Sequence, residues 1–125
     1  MPSPRAFVSL LAVLVALSPA GRALAAPSQS ITYPPKPGPG QGRHLVFLTG
    51  DEEYRSEEGL PMLAKILSQR HGFKTSVLFS VDEDGTINPK NTSSLSNPAI
   101  LDSADAIVML LRFRNWPDET MARFE

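Results

Sequence analysis

His44-Leu45-Val46-Phe47-Leu48-Thr49-Gly50 is a short apolar run that closes on glycine, and Asp51-Glu52-Glu53-Tyr54-Arg55-Ser56-Glu57-Glu58 follows it at once. A run without polar alternation predicts a central strand covered on both faces. The next stretch changes period. Leu60, Leu63, Ala64 and Leu67 fall at i, i+3, i+4 and i+7, with Met62 and Ile66 widening the stripe. That spacing predicts an amphipathic helix. Gly72 is its expected C-terminal cap, after Lys65, Arg70 and His71 near the negative end of the helix dipole. Pro61 is tolerated only in the first turn, where a backbone N–H has no helical partner. The helix is therefore expected to begin at Glu57 or Glu58, with Ser56 in the preceding loop.

Thr75 to Val81, TSVLFSV, predicts a second strand. Asp82 to Pro98 is a long polar loop with turn signals at Asp84-Gly85, Asn88-Pro89 and Asn97-Pro98. Leu101 to Asp105 leads into a third strand, Ala106 to Leu111, then into a loop, Arg112-Phe113-Arg114-Asn115-Trp116. Pro117-Asp118-Glu119 opens another helix. A doubly wound sheet usually carries five or more strands. Three strands and one and a half helices leave a sheet edge and much of a face uncovered. Residues 44–125 are therefore expected to be the N-terminal part of a longer α/β domain; a small complete domain that oligomerises is the alternative.

Outward from this core, Ala26 to Arg43, APSQSITYPPKPGPGQGR, has no apolar periodicity and reads as a Pro/Gly-rich linker, with residues 27–43 joining leader to domain. Residues 1–26 read as a signal peptide. Arg5 starts it, the twelve uncharged residues Ala6–Leu17 form its apolar stretch, and Ala23-Leu24-Ala25 supplies the small residues of a cleavage site. Twelve apolar residues fall short of the roughly 20 that span a bilayer. A secreted or periplasmic protein without a stable membrane anchor is expected.

The composition narrows the function classes. The net charge is −1 and no long basic block occurs, so nucleic acid is not an expected partner. The chain has no cysteine, which excludes disulfides, thiolate metal sites and a cysteine nucleophile within these residues. His44 and His71 have no ligand-like spacing, so no metal site is expected. There is no Gly-x-Gly-x-x-Gly, no P-loop and no Gly-x-Ser-x-Gly elbow, and no cofactor is expected. Asn91-Thr92-Ser93 matches a glycosylation acceptor that matters only in a eukaryotic secretory pathway.

In open α/β sheets, sites form at the carboxyl ends of strands where neighbouring connections diverge. If the three strands lie in the order 2-1-3, the loops after the first and third are neighbours. One is acidic: Asp51 to Glu58 hold five carboxylates and one arginine. The other is basic and aromatic. The candidate ligand-binding residues are Asp51, Glu52, Glu53, Tyr54, Arg55, Arg112 and Arg114. Such a pairing suits a polar ligand held by carboxylate and guanidinium hydrogen bonds, with Tyr54 or Trp116 as a stacking wall. The structural reading stands beside it. Glu57, Glu58, Asp118 and Glu119 are explained by helix dipoles, Arg112 and Arg114 by bridges to the acids, and Trp116 before Pro117 by a hydrophobic staple.

Gly50 to Glu58, Leu60 to Leu67 and His71-Gly72-Phe73 resemble the start of the trehalose-utilisation (ThuA-like) family. Leu101 to Asp105, Arg112-Phe113-Arg114 and Pro117-Asp118-Glu119 are similar to that family's third strand and following helix. The resemblance covers residues 44–125. It implies a three-layer flavodoxin-like, class I glutamine-amidotransferase-like parallel sheet and a bacterial protein of carbohydrate metabolism. A small-molecule carbohydrate is the implied partner, and no catalytic residue is carried over. A non-catalytic carbohydrate-binding or assembly module is the alternative.

Overall fold

A computed structural model describes residues 29–125; the expected leader, residues 1–26, lies outside them. Four strands form one sheet: β1 (Ser30–Tyr33), β2 (His44–Gly50), β3 (Lys74–Leu78) and β4 (Ala106–Leu111). The helices are α1 (Ser56–His71) and α2 (Asp118–Met121), and 3-10 turns cover Pro98–Ser103 and Ala122–Phe124. The sheet order is β1-β3-β2-β4. β2 pairs in parallel with both β3 and β4, so the expected 2-1-3 order of the parallel strands is present.

The sheet is mixed rather than purely parallel, because β1 runs antiparallel to β3 with Ser30 opposite Leu78 and Tyr33 opposite Thr75. That corrects the reading of residues 27–43 as a linker. Thr32 Oγ1 meets Ser76 Oγ at 2.9 Å, and Tyr33 packs on the core beneath α1. The prolines that follow carry the chain along the end of α1: Ser68 Oγ donates to Pro34 O at 2.7 Å, and the Gly40 N–H donates to His71 O at 2.7 Å. At the crossing, a Cβ on Gly38 or Gly72 would meet backbone atoms at 2.6–2.8 Å. Gly72 also caps α1 at φ 80°, a conformation that side chains disfavour.

β2 is buried on both faces, as its unbroken apolar run predicts. Phe47 points to the α1 side, where it joins Leu60, Ala64, Val77 and Phe79. Val46 and Leu48 point to the other side, with Leu78 and Leu101, and Ile107, Trp116 and Phe124 close that layer. Helix α1 begins at Ser56, one or two residues earlier than expected, and Pro61 lies inside it. The early start follows from the Ser56 hydroxyl, which is fully buried and reaches back to the N–H groups of Gly50 (2.9 Å) and Asp51 (2.8 Å). β3 ends at Leu78 rather than Val81 because the next N–H groups turn to side chains of the polar loop: Phe79 to Ser96 Oγ and Val81 to Ser94 Oγ, both at 2.9 Å.

At the amino end of the sheet, His44 is buried and ties three elements together. Nε2 contacts Ser76 Oγ at 2.8 Å, and Nδ1 contacts Ser103 O at 3.2 Å and Ser103 Oγ at 3.0 Å. A ring N–H on Nδ1 serves the Ser103 carbonyl and leaves Nε2 to accept from Ser76. Burial, and Lys74 after it, lower the His44 pKa; the Ser103 carbonyl and Asp105 oppose them. No described helix is long and apolar enough to cross a membrane.

Candidate functional site

The chain leaves β2 through α1 to β3 on one side and crosses from β3 to β4 on the other. The carboxyl ends of β2 and β4 therefore flank the point where the connections diverge, the usual place for a crevice in a doubly wound sheet. Gly50 and Arg112 close the ladder there, with the Arg112 N–H donating to Gly50 O at 3.1 Å.

The acidic loop is a tight turn built by its first residue. Asp51 is buried, and its Oδ1 accepts the N–H groups of Glu53 (2.9 Å) and Tyr54 (2.8 Å). With Ser56 holding the turn from the other end, Glu52, Glu53 and Tyr54 face outward. Tyr54 is 70% exposed. Arg55 adopts a left-handed backbone, φ 51°, and pairs with Glu58 one turn along the helix.

The two arginines of the basic loop have different surroundings. Arg114 has a side chain only 6% exposed. Its Nε donates to Arg112 O at 2.6 Å, its Nη1 to Ser80 Oγ and Asn91 O, and its Nη2 to Pro89 O, the last three at 2.9 Å. Glu52 Oε2 stands 3.9 Å from Nη2. Burial lowers the Arg114 pKa, and Glu52 and then Asp51 hold it up. The side chain reaches this position past Gly50, where a Cβ would come within 3.0 Å of Arg114 Cδ and of Leu111. Arg112 faces outward instead. It forms an ion pair with Glu53 that joins the two loops, and its guanidinium lies 5.0 Å from the centre of the Phe113 ring.

The expected acidic and basic loops are thus brought together, but the seven candidate residues do not share one role. Asp51 and Arg114 are engaged within the fold: one fastens a turn and the other fastens the polar loop to the sheet. Arg55 is engaged with Glu58. Glu52, Glu53, Tyr54 and Arg112 keep solvent-accessible side chains at the carboxyl ends of β2 and β4. Trp116 is no stacking wall. Its ring lies parallel to that of Phe124 at 5.8 Å, on the face away from α1, and Nε1 donates to Ser94 O. Besides Tyr54, the exposed aromatic residue of these two loops is Phe113, 75% exposed and at φ 50°. Positive φ is costly for a bulky residue, and Arg114 holding the Arg112 carbonyl fixes the turn that imposes it. An aromatic between two arginines was visible in the sequence; its backbone conformation was not.

Asn91 serves the fold: its Nδ2 donates to Val81 O at 3.0 Å and Asp82 Oδ1 at 2.9 Å. Among the described residues, no three His, Asp or Glu side chains are grouped to hold a metal ion. Comparison with known proteins finds no matching family model, no matching curated protein and no matching solved structure.

Proposed function

We propose that this is an exported carbohydrate-binding α/β protein of trehalose-utilisation type, whose ligand occupies the crevice between the carboxyl ends of β2 and β4. The observation that carries the reading is the solvent-facing Glu53–Arg112 pair, flanked in sequence by the exposed rings of Tyr54 and Phe113. A sugar hydroxyl both donates and accepts. A carboxylate beside a guanidinium offers an acceptor and a fork of donors a few ångströms apart. The C–H face of a sugar ring is apolar and suits an aromatic face, so polar and apolar recognition come from adjacent residues. The resemblance of residues 44–125 to the trehalose-utilisation family supports the ligand class, and the leader pattern of residues 1–26 supports export.

The reading is one of binding, in which neither Asp51 nor Arg114 is available for acid–base work and Glu52 and Glu53 are the carboxylates that turnover would have to use. A general acid or base must reach its substrate with a free proton site. Asp51, the most enclosed carboxylate of the loop, holds two backbone N–H groups, and Arg114 is occupied by four protein oxygens besides Glu52. Calorimetry of the full chain with a panel of disaccharides and their keto forms tests this. The expected result is binding near the millimolar range, about 4 kcal/mol, weakened at least tenfold by Arg112→Gln. Turnover of any member replaces the binding reading with an enzymatic one, and no heat with any member refutes the ligand class.

A further inference from the structure

The outer surface of α1 carries a separate feature, on the opposite side of the helix from the sheet. Glu58, Met62, Ile66 and Arg70 follow one another at four-residue spacing and so form one ridge along the helix. All four are exposed, Met62 at 65% and Ile66 at 46%. The side that meets the core is made by Leu60, Ala64 and Ser68. Beside the ridge, Met62, Lys65, Ile66, Gln69 and Arg70 line a depression of about 200 Å³. On the adjacent row, Gly59 leaves open space where a Cβ would stand, although glycine is disfavoured inside a helix.

We propose that this ridge is the contact between two copies of the chain, with α1 packed antiparallel on α1 about a two-fold axis midway between Met62 and Ile66. The order acid, apolar, apolar, base is its own complement when reversed. A two-fold that sets Met62 beside the partner's Ile66 also sets Glu58 beside the partner's Arg70, and repeats both contacts by symmetry. The same relation brings Gly59 opposite the partner's Gln69, where the missing side chain lets the helices approach. Lys65 falls beside the partner's Leu63, which its methylene stem covers. Glu58 is free to make the new pair, because its bond to Arg55 is a surface contact between two exposed side chains. The apolar centre and the charges at either end specify a second copy without any further partner.

Sedimentation velocity on the full chain over a range of concentrations tests the proposal. A monomer–dimer equilibrium is expected. Glu58→Lys and Arg70→Glu should each weaken it at least tenfold, since each sets like charges opposite one another twice. An equimolar mixture of the two variants should recover the dimer, because both cross-pairs are then of opposite sign. Met62→Gln, which leaves the charges alone, should weaken association as well, and it serves if a charge reversal unfolds the helix. A monomer at every concentration overturns the proposal. So does association that persists unchanged through these substitutions, as it would through the apolar residues 6–17, or a mixture no tighter than its components.

Discussion

Arg112 and Arg114 lie two positions apart in one loop, and the fold uses them in opposite ways. Arg114→Leu would remove the donors to the Arg112, Pro89 and Asn91 carbonyls and to Ser80. It should cost about 3 kcal/mol or more in urea unfolding, because buried acceptors would lose their partners. Arg112→Gln should change stability by no more than about 0.5–1 kcal/mol, since its ion pair is solvent-facing, while weakening ligand binding. Equal losses of stability would contradict this division. From the sequence the two arginines are equivalent; what separates them is the passage beside Gly50, visible only when β2 and β4 are paired. His44 supplies a second residue-scale prediction. Its folded pKa lies below the unfolded value of about 6.5. The unfolded chain therefore takes up a proton first, and stability is full above that value and falls as the pH drops from about 6.5 through the folded pKa. Lys74 strengthens the effect, and the Ser103 carbonyl and Asp105 temper it. Unfolding measured from pH 7.5 to 5 should show the decline, and His44→Asn should flatten it; an unchanged slope in the variant would assign the decline to other groups.

The elements were unequally legible. β2 and β4 begin and end where their apolar runs do; β2 is apolar because it is covered on both faces, whereas β4 is an edge strand with Ala106 and Met109 exposed. β1 was missed. It has four residues, of which Tyr33 alone packs on the core, and Pro34-Pro35 follow directly, so its composition is that of a linker. Its pairing depends on the edge of β3, which no local pattern reveals. Amide exchange should find Ser30–Tyr33 protected well above the unfolded rate, and free exchange there would restore the linker reading. Gly72 was legible as a helix cap, but the crossing of the Lys36–Gly38 backbone against it was not. Gly72→Ala should therefore cost more than the roughly 1 kcal/mol expected of a left-handed cap alone, as thermal or urea unfolding would show. In the sequence, Pro61 marks the first turn. Its place deeper in α1 is set by the Ser56 hydroxyl, which pins the helix start to the turn after β2.

At the scale of the molecule, the sheet is covered by α1 on one face and by the turns around Leu101 and Phe124 on the other, and the connections from the parallel strands diverge between β2 and β4. The general site of the crevice was legible, because strand order and switch point follow from connection rules rather than from side-chain detail. Which residues stay free in it was not, because burial decides that. In the proposed function, Glu52, Glu53, Tyr54, Arg112 and Phe113 meet the ligand, and Asp51, Ser56 and Arg114 hold their loops in place. The most direct test is a heteronuclear NMR titration of the full chain with trehalose and related disaccharides. Saturable shifts should centre on Glu52–Arg55 and Arg112–Phe113, and Arg112→Gln should suppress them while leaving the remaining spectrum folded. Shifts centred elsewhere, or none at saturating sugar, would contradict a carbohydrate site between β2 and β4.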